Sequence, residues 1–174
     1  MYRNRRKEGW SLRTWAQQAG VSTSVVAATE AGSSWPEFRQ IQAMADCLDL
    51  TLSVRAPAPL SSSTAKWVPH PPVSSEELLE RSVAAQAGDS ASRGRLAHDL
   101  ICWQLAYARR ALGVTIADLN RKGGISANTV TRVEHAPRTG DVVSYRVMLA
   151  MAYEVRMELL ATWRHGAPRP VWDR

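Results

Sequence analysis

Four histidines and two cysteines are the side chains in this 174-residue chain best suited to metal binding or nucleophilic chemistry. His70, His98, His135 and His165 are scattered, with no second ligand at metal-binding spacing and no serine or cysteine set in a nucleophile motif. Cys47 and Cys102 each fall inside an apolar, helix-like pattern, where a thiol serves as a small buried hydrophobe. No zinc set, disulfide framework or hydrolase constellation can be assembled, so catalysis, a metal and a cofactor are not expected. What remains is charge. Lys and Arg number 22 against 16 Asp and Glu, a formal +6. The surplus is uneven, with residues 1–55 at +2, residues 56–95 at 0 and residues 96–174 at +4. Basic ends around a neutral middle suit a polyanionic partner.

The elements that would position this charge come from an internal repeat. Arg5, Trp10-Ser11-Leu12, Trp15, Gly20-Val21-Ser22, Val26 and Glu30 align with Arg109, Val114-Thr115-Ile116, Leu119, Gly124-Ile125-Ser126, Val130 and Glu134, every pair separated by 104 residues. With one extra residue in the next loop the match resumes at 105, pairing Met44-Ala45 with Leu149-Ala150, Leu48 with Tyr153, Leu50 with Val155 and Leu52 with Met157. Two copies of one unit of about 55 residues are implied.

Each copy reads as a bundle of short helices. Ser11 caps a helix whose Leu12, Trp15, Ala16 and Ala19 share a face, and Gly20 ends it. Ser22 caps the next, which stops near Gly32; Pro36 opens a third with Phe38, Ile41, Met44, Ala45 and Leu48 in a stripe. In the second copy Thr115 caps Ile116–Arg121, Gly123-Gly124 makes the turn, and Ser126 caps Ala127–His135. A further helix runs through Val143, Val147, Leu149 and Met151.

A helix, a glycine turn and a second Ser-capped helix make a helix-turn-helix, whose second helix can enter the DNA major groove. The pattern Arg5-x3-Gly9-Trp10-Ser11-x3-Trp15-Ala16-x3-Gly20-Val21-Ser22-x3-Val26-x3-Glu30-x-Gly32 resembles the Cro and phage-lambda-repressor type (XRE) domain. So does Arg109-x3-Gly113-Val114-Thr115-x3-Leu119-x4-Gly124-Ile125-Ser126-x3-Val130-x3-Glu134. The resemblance implies internal ion pairs, Arg5 with Glu30 and Arg109 with Glu134. It also implies base-reading positions at Thr23, Ser24, Ala27 and Ala28 in the first copy and at Ala127, Asn128, Thr129, Thr131 and Arg132 in the second. Arg132 suits guanine, Asn128 adenine, and Thr131 a base edge or a thymine methyl; the first helix offers only hydroxyls and methyls. Phosphate contacts are expected from Ser11, Ser22, Arg3, Arg6, Lys7 and Arg13, and from Thr115, Ser126, Arg110, Arg121, Lys122 and Arg138.

After its last helix each copy alternates strictly, Leu48, Leu50, Leu52 and Val54 in one and Tyr153, Val155, Met157 and Leu159 in the other, which predicts a strand in each. HipB-like antitoxin repressors, relatives in this family, are held as dimers partly by such strands. The expected fold is therefore mainly α, with two lambda-repressor-like helix-turn-helix domains and a small two-stranded antiparallel sheet. The sheet either joins the repeats as a pseudo-twofold dimer within one chain or joins two chains in a homodimer. The domains read as 1–55, a Pro/Ser-rich linker and connecting helix over 56–91, a second domain over 92–163 whose leading helix runs from Ser92 to Leu112, and a tail over 164–174. A capping-box-like Ser74-Ser75-Glu76-Glu77 starts the connecting helix, which runs to about Ala87, and Trp67 and Trp103 read as packing anchors.

The function these features point to is a sequence-specific double-stranded DNA-binding transcriptional regulator, a repressor, acting on an asymmetric bipartite site. Two other classes fit the same fold: an antitoxin-like adaptor that holds a protein partner through Trp172 in the tail, and an accessory DNA-architecture or recombination factor. No run of about 18 apolar residues exists and the basic start has no apolar stretch behind it, so a membrane span and a secretory signal are not expected and the location is expected to be cytoplasmic and nucleoid-associated.

Overall fold

Residues 1–55, 80, 83 and 90–163 are described by the computed structural model. Among them are eight helices and two strands: α1 Tyr2–Lys7, α2 Leu12–Ala19, α3 Thr23–Glu30, α4 Phe38–Asp46, β1 Leu50–Arg55, α5 Ser90–Ala111, α6 Ile116–Gly123, α7 Ala127–Thr139, α8 Tyr145–Glu154 and β2 Glu158–Trp163. The protein is thus mainly helical, with one small antiparallel two-stranded sheet in which β1 pairs with β2. The Pro/Ser-rich segment, Trp67, most of the connecting helix and the tail with Trp172 lie outside the described residues; Glu80 and Val83 are helical.

Short hydroxyl side chains set where the helices begin. Before five of the helices, α2, α3, α6, α7 and α8, the hydroxyl oxygen of the preceding residue accepts the backbone N–H three residues on: Ser11 from Thr14 (3.0 Å), Ser22 from Val25 (3.3 Å), Thr115 from Asp118 (3.0 Å), Ser126 from Thr129 (3.2 Å) and Ser144 from Val147 (3.4 Å). Each cap stabilises its helix by about 1 kcal/mol. Glycine sets where α2 and α6 stop. Gly20 and Gly124 hold φ of 64° and 63°, and the following N–H groups return to Ala16 O and Leu119 O. A β-carbon in that left-handed conformation costs about 1–2 kcal/mol, so the tight turn into α3 and into α7 depends on these two residues.

Two compact units divide the chain, Met1–Ser53 with the residues from Leu160, and Val54–Leu159. In the first, Trp15, Val26, Phe38, Ile41, Met44, Leu48, Leu50 and Leu52 form the core. Trp15 is its largest member, and its indole Nε1 donates to the carbonyl of Met44 at 3.0 Å, so the one polar atom buried with that ring is satisfied. In the second unit Ile101, Leu105, Leu119, Val130, Val133, Met148, Met151 and Val155 play the same part around α5, α6, α7 and α8.

The repeat keeps its 104-residue register through Glu30 and Glu134, but the expected 105 beyond the loop is corrected to 107. Met151 and Ala152, not Leu149 and Ala150, are buried as Met44 and Ala45 are, and Val155 takes the place of Leu48. Asp49 and Arg156, 107 residues apart, both turn the chain at φ 55°. The expected strand over 153–159 is displaced for the same reason. α8 continues through Tyr153, which is 79% exposed, and the Val155 N–H still bonds helically to Met151 O at 3.0 Å, so the strand begins only at Glu158. In β1 the alternation holds from Leu50 onward, with Leu50, Leu52 and Val54 buried. No helix among the described residues is long and apolar enough to cross a membrane.

Candidate nucleic-acid interface

In the second unit the outward face of α7 begins one residue after the Ser126 cap. Ala127, Asn128, Thr131, Arg132, His135, Arg138 and Thr139 are all exposed, while Val130, Val133, Ala136 and Pro137 are buried. Asn128, Arg132 and His135 succeed one another at four and three residues, so they share one stripe along the helix. The Asn128 amide makes no hydrogen bond among the described residues and keeps its donor and acceptor pair. Thr131 donates its hydroxyl to Ala127 O at 3.1 Å, and Thr129, half-buried, shares a 2.8 Å hydroxyl contact with Ser126. Those two threonines therefore offer less to a ligand than Asn128 does. The Arg132 guanidinium lies 3.5 Å from the carbonyl of Val142 in the loop after α7, through Nη2.

The corresponding face of the first unit is chemically poorer. α3 spans eight residues against thirteen in α7. Thr23 and Ser24 are exposed, with the Ser24 hydroxyl 2.9 Å from that of Ser22, and Ala27 and Ala28 are half-buried. No charged side chain other than the half-buried Glu30 sits on α3. The chain after it folds back at once, since Ser33 N–H and its hydroxyl both reach Ala28 O.

Both units carry an arginine–glutamate contact spanning 25 residues. Arg5 grips Glu30 bidentately, at 2.8 Å through Nε and 3.0 Å through Nη2, and donates Nη1 to Trp10 O. Arg109 Nε meets Glu134 at 2.6 Å and its Nη1 donates to Val114 O at 2.8 Å. Arg110 takes the other oxygen of Glu134 at 2.6 Å. These acids fasten the first helix of each unit to the second helix of the turn, and Arg110 is drawn into that role. Arg121 is likewise engaged, at 2.5 Å from Asp118. Arg13, Lys122 and Arg146 are exposed and make no hydrogen bond or ion pair among the described residues, and Arg3, Arg6, Lys7 and Arg138 are exposed with further contacts of their own.

The four capping hydroxyls expected to meet phosphates, Ser11, Ser22, Thr115 and Ser126, differ in what they leave for one. Ser11, Ser22 and Ser126 each share a proton with a neighbouring hydroxyl at 2.8–2.9 Å. Thr115 must donate its proton to the Asp118 carboxylate at 2.6 Å, and its N–H goes to the same oxygen at 3.1 Å. Those two bonds from Thr115 hold the Asp118 carboxyl below the usual carboxylate range. The amino end of α6 therefore already carries an anion.

One cluster lies behind α7 and was not among the expected site residues. On α5, Asp99 Oδ2 accepts from Arg95 Nε at 3.0 Å and Oδ1 lies 2.9 Å from His98 Nδ1. Arg95 then donates to Gly140 O at 2.7 Å and Ala136 O at 3.1 Å, and His98 Nε2 accepts the Val143 N–H at 2.9 Å. Because the Val143 amide can only donate, Nε2 is unprotonated and the ring proton sits on Nδ1, facing Asp99. His98 and Asp99 are buried. The four-residue spacing of Arg95 and Asp99 is the one sequence signal that marks the pair. Cys102 lies beneath, its thiol pushed up by burial and by the nearby Asp99 charge. Burial also raises Cys47 and Tyr145. Among the described residues no group of three His, Cys, Asp or Glu is placed to hold a metal ion. No family model, no curated protein and no solved structure matches this chain.

Proposed function

We propose that the chain is a sequence-specific double-stranded DNA-binding transcriptional regulator, a repressor, built from two Cro/lambda-repressor-type helix-turn-helix units of unequal reading power. The observation that carries this reading is the exposed stripe of α7, where Asn128 and Arg132 stand one turn apart immediately after a glycine turn and a serine cap. A bidentate arginine–guanine or asparagine–adenine pair is worth about 1–3 kcal/mol of base discrimination. The second unit supplies most of the readout; the first adds contacts through Thr23 and Ser24 and through Arg13. Unlike helices favour an asymmetric bipartite site over a palindrome.

Selection of bound sequences from a random duplex pool at about 150 mM salt, followed by titration of the winning duplex, tests the reading. An asymmetric consensus whose strongest positions are lost in Arg132→Ala supports it. Failure to enrich any sequence overturns it, and co-purification of a protein partner in that case makes an adaptor role the better reading.

A further inference from the structure

We propose that Arg95, Asp99 and His98 on α5 are positioning residues for DNA readout, setting the direction of the Arg132 guanidinium through the loop 140–143. This rests on the reading of α7 as the DNA-contacting helix.

The need for such a device follows from α7 itself. Pro137 stands inside its last turn and has no N–H, so the carbonyl of Val133 loses its partner within the helix, and a turn so weakened tends to end early. α7 nonetheless runs on to Thr139. The Gly140 N–H closes the last turn onto Ala136 O at 3.0 Å, and the two terminal nitrogens of Arg95 brace that closure by donating to the same Ala136 O and to Gly140 O. A cation there also meets the negative end of the helix dipole. Asp99 fixes the guanidinium by holding Nε, and its other oxygen fixes the His98 ring, whose Nε2 holds the N–H of Val143. Gly140 at one end of the loop and Val143 at the other are therefore both tied to α5 by one continuous hydrogen-bonded chain. Between them lies Val142, whose carbonyl is the contact of Arg132 Nη2. At 3.5 Å and in the open that contact is weak, so it biases the guanidinium toward the loop without holding it there. A guanidinium directed by one terminal N–H keeps the others for a base edge, and bidentate recognition is sensitive to that direction.

The experiment compares the full-length protein with Arg95→Gln, Arg132→Ala and the double variant. Affinities are measured for the selected duplex and for a scrambled duplex, with thermal melting alongside. Arg95→Gln is expected to weaken binding to the selected duplex by about tenfold, to leave the scrambled duplex unchanged, and to add nothing further when Arg132 is already alanine. Additive losses in the double variant, or an equal loss on both duplexes, would overturn the inference while leaving the DNA-binding reading in place. A wild-type protein that does not distinguish the two duplexes would remove both. Should Arg95→Gln melt below the assay temperature, Arg95→Lys, which keeps the charge at the helix end but cannot span both carbonyls and Asp99, is put through the same cycle and judged by the same outcomes.

Discussion

Arg5→Ala and Arg109→Ala remove equivalent side chains from the two units, yet their costs should differ. Without Arg5, Glu30 keeps a carboxylate whose side chain is 13% exposed, and one cation near it, the Met1 ammonium, is pushed by burial toward its neutral form. Breaking a buried pair on one side costs about 3–5 kcal/mol. The carbonyl of Trp10 also loses its donor. Without Arg109, Glu134 remains bonded to Arg110 at 2.6 Å, so what is lost is one of its two cationic partners and the donor to Val114 O. That amounts to about 1–3 kcal/mol. The gap of about 2 kcal/mol is readable by urea unfolding at neutral pH, followed by circular dichroism and tryptophan emission. With a slope of about 1–3 kcal/mol/M it corresponds to a midpoint difference of about 1 M between the transitions of the substituted units. The double variant Arg109→Ala/Arg110→Ala should bring the second unit's loss up to that of Arg5→Ala. Equal costs for the two single variants, with no further loss in the double, would refute the claim that Arg110 is a second cation for Glu134.

Three other expectations follow from the same contacts. Lys122→Ala should weaken binding to all duplexes alike and flatten the slope of log affinity against log salt by about 0.9, whereas a change confined to one base position would make Lys122 a reader of sequence. Because the Asp118 pKa is depressed from 3.8 in the fold, its stabilising contribution is complete above that value and is lost as pH falls through the lower one. Melting curves from pH 6 down to about 2 should therefore converge for wild type and Asp118→Asn, and parallel curves would show that the bonds from Thr115 add nothing. The buried Cys102 thiol, raised by burial, should resist a disulfide reagent at about pH 8 until the protein is unfolded, with the half-buried Cys47 reacting before it; a Cys102 thiol that reacts at once in the native state would contradict its placement.

Much of the helical architecture was legible because it is written in short-range rules. Ser11, Ser22, Thr115 and Ser126 start helices by a side-chain bond three residues long, and Gly20 and Gly124 stop them by a backbone conformation that other residues resist. Register beyond the loop was not legible. Leu149-Ala150 matches Met44-Ala45 in chemical type as well as Met151-Ala152 does, and only burial tells them apart. The alternation from Tyr153 to Leu159 misled in the same way, because four residues at a helix end satisfy a period of two as readily as the close of a period of 3.6. At the candidate site, the exposure of Asn128 and Arg132 follows from their spacing relative to Val130 and Val133. The role of Arg95 does not, since it depends on carbonyls 41 and 45 residues away.

The pairing of β1 with β2 has a consequence for synthesis on the ribosome. The strand Leu50–Arg55 leaves the exit tunnel long before its partner Glu158–Trp163 exists, and at about 5–20 residues per second the wait is roughly 5–20 s. Throughout that interval the helices of the first unit can fold, but the edge of β1 presents unpaired backbone groups that another strand can take. The amino-terminal unit is thus the first to begin folding and among the last to finish, and slowing or pausing translation between codons 56 and 157 is expected to lengthen the period in which nascent chains can pair with one another.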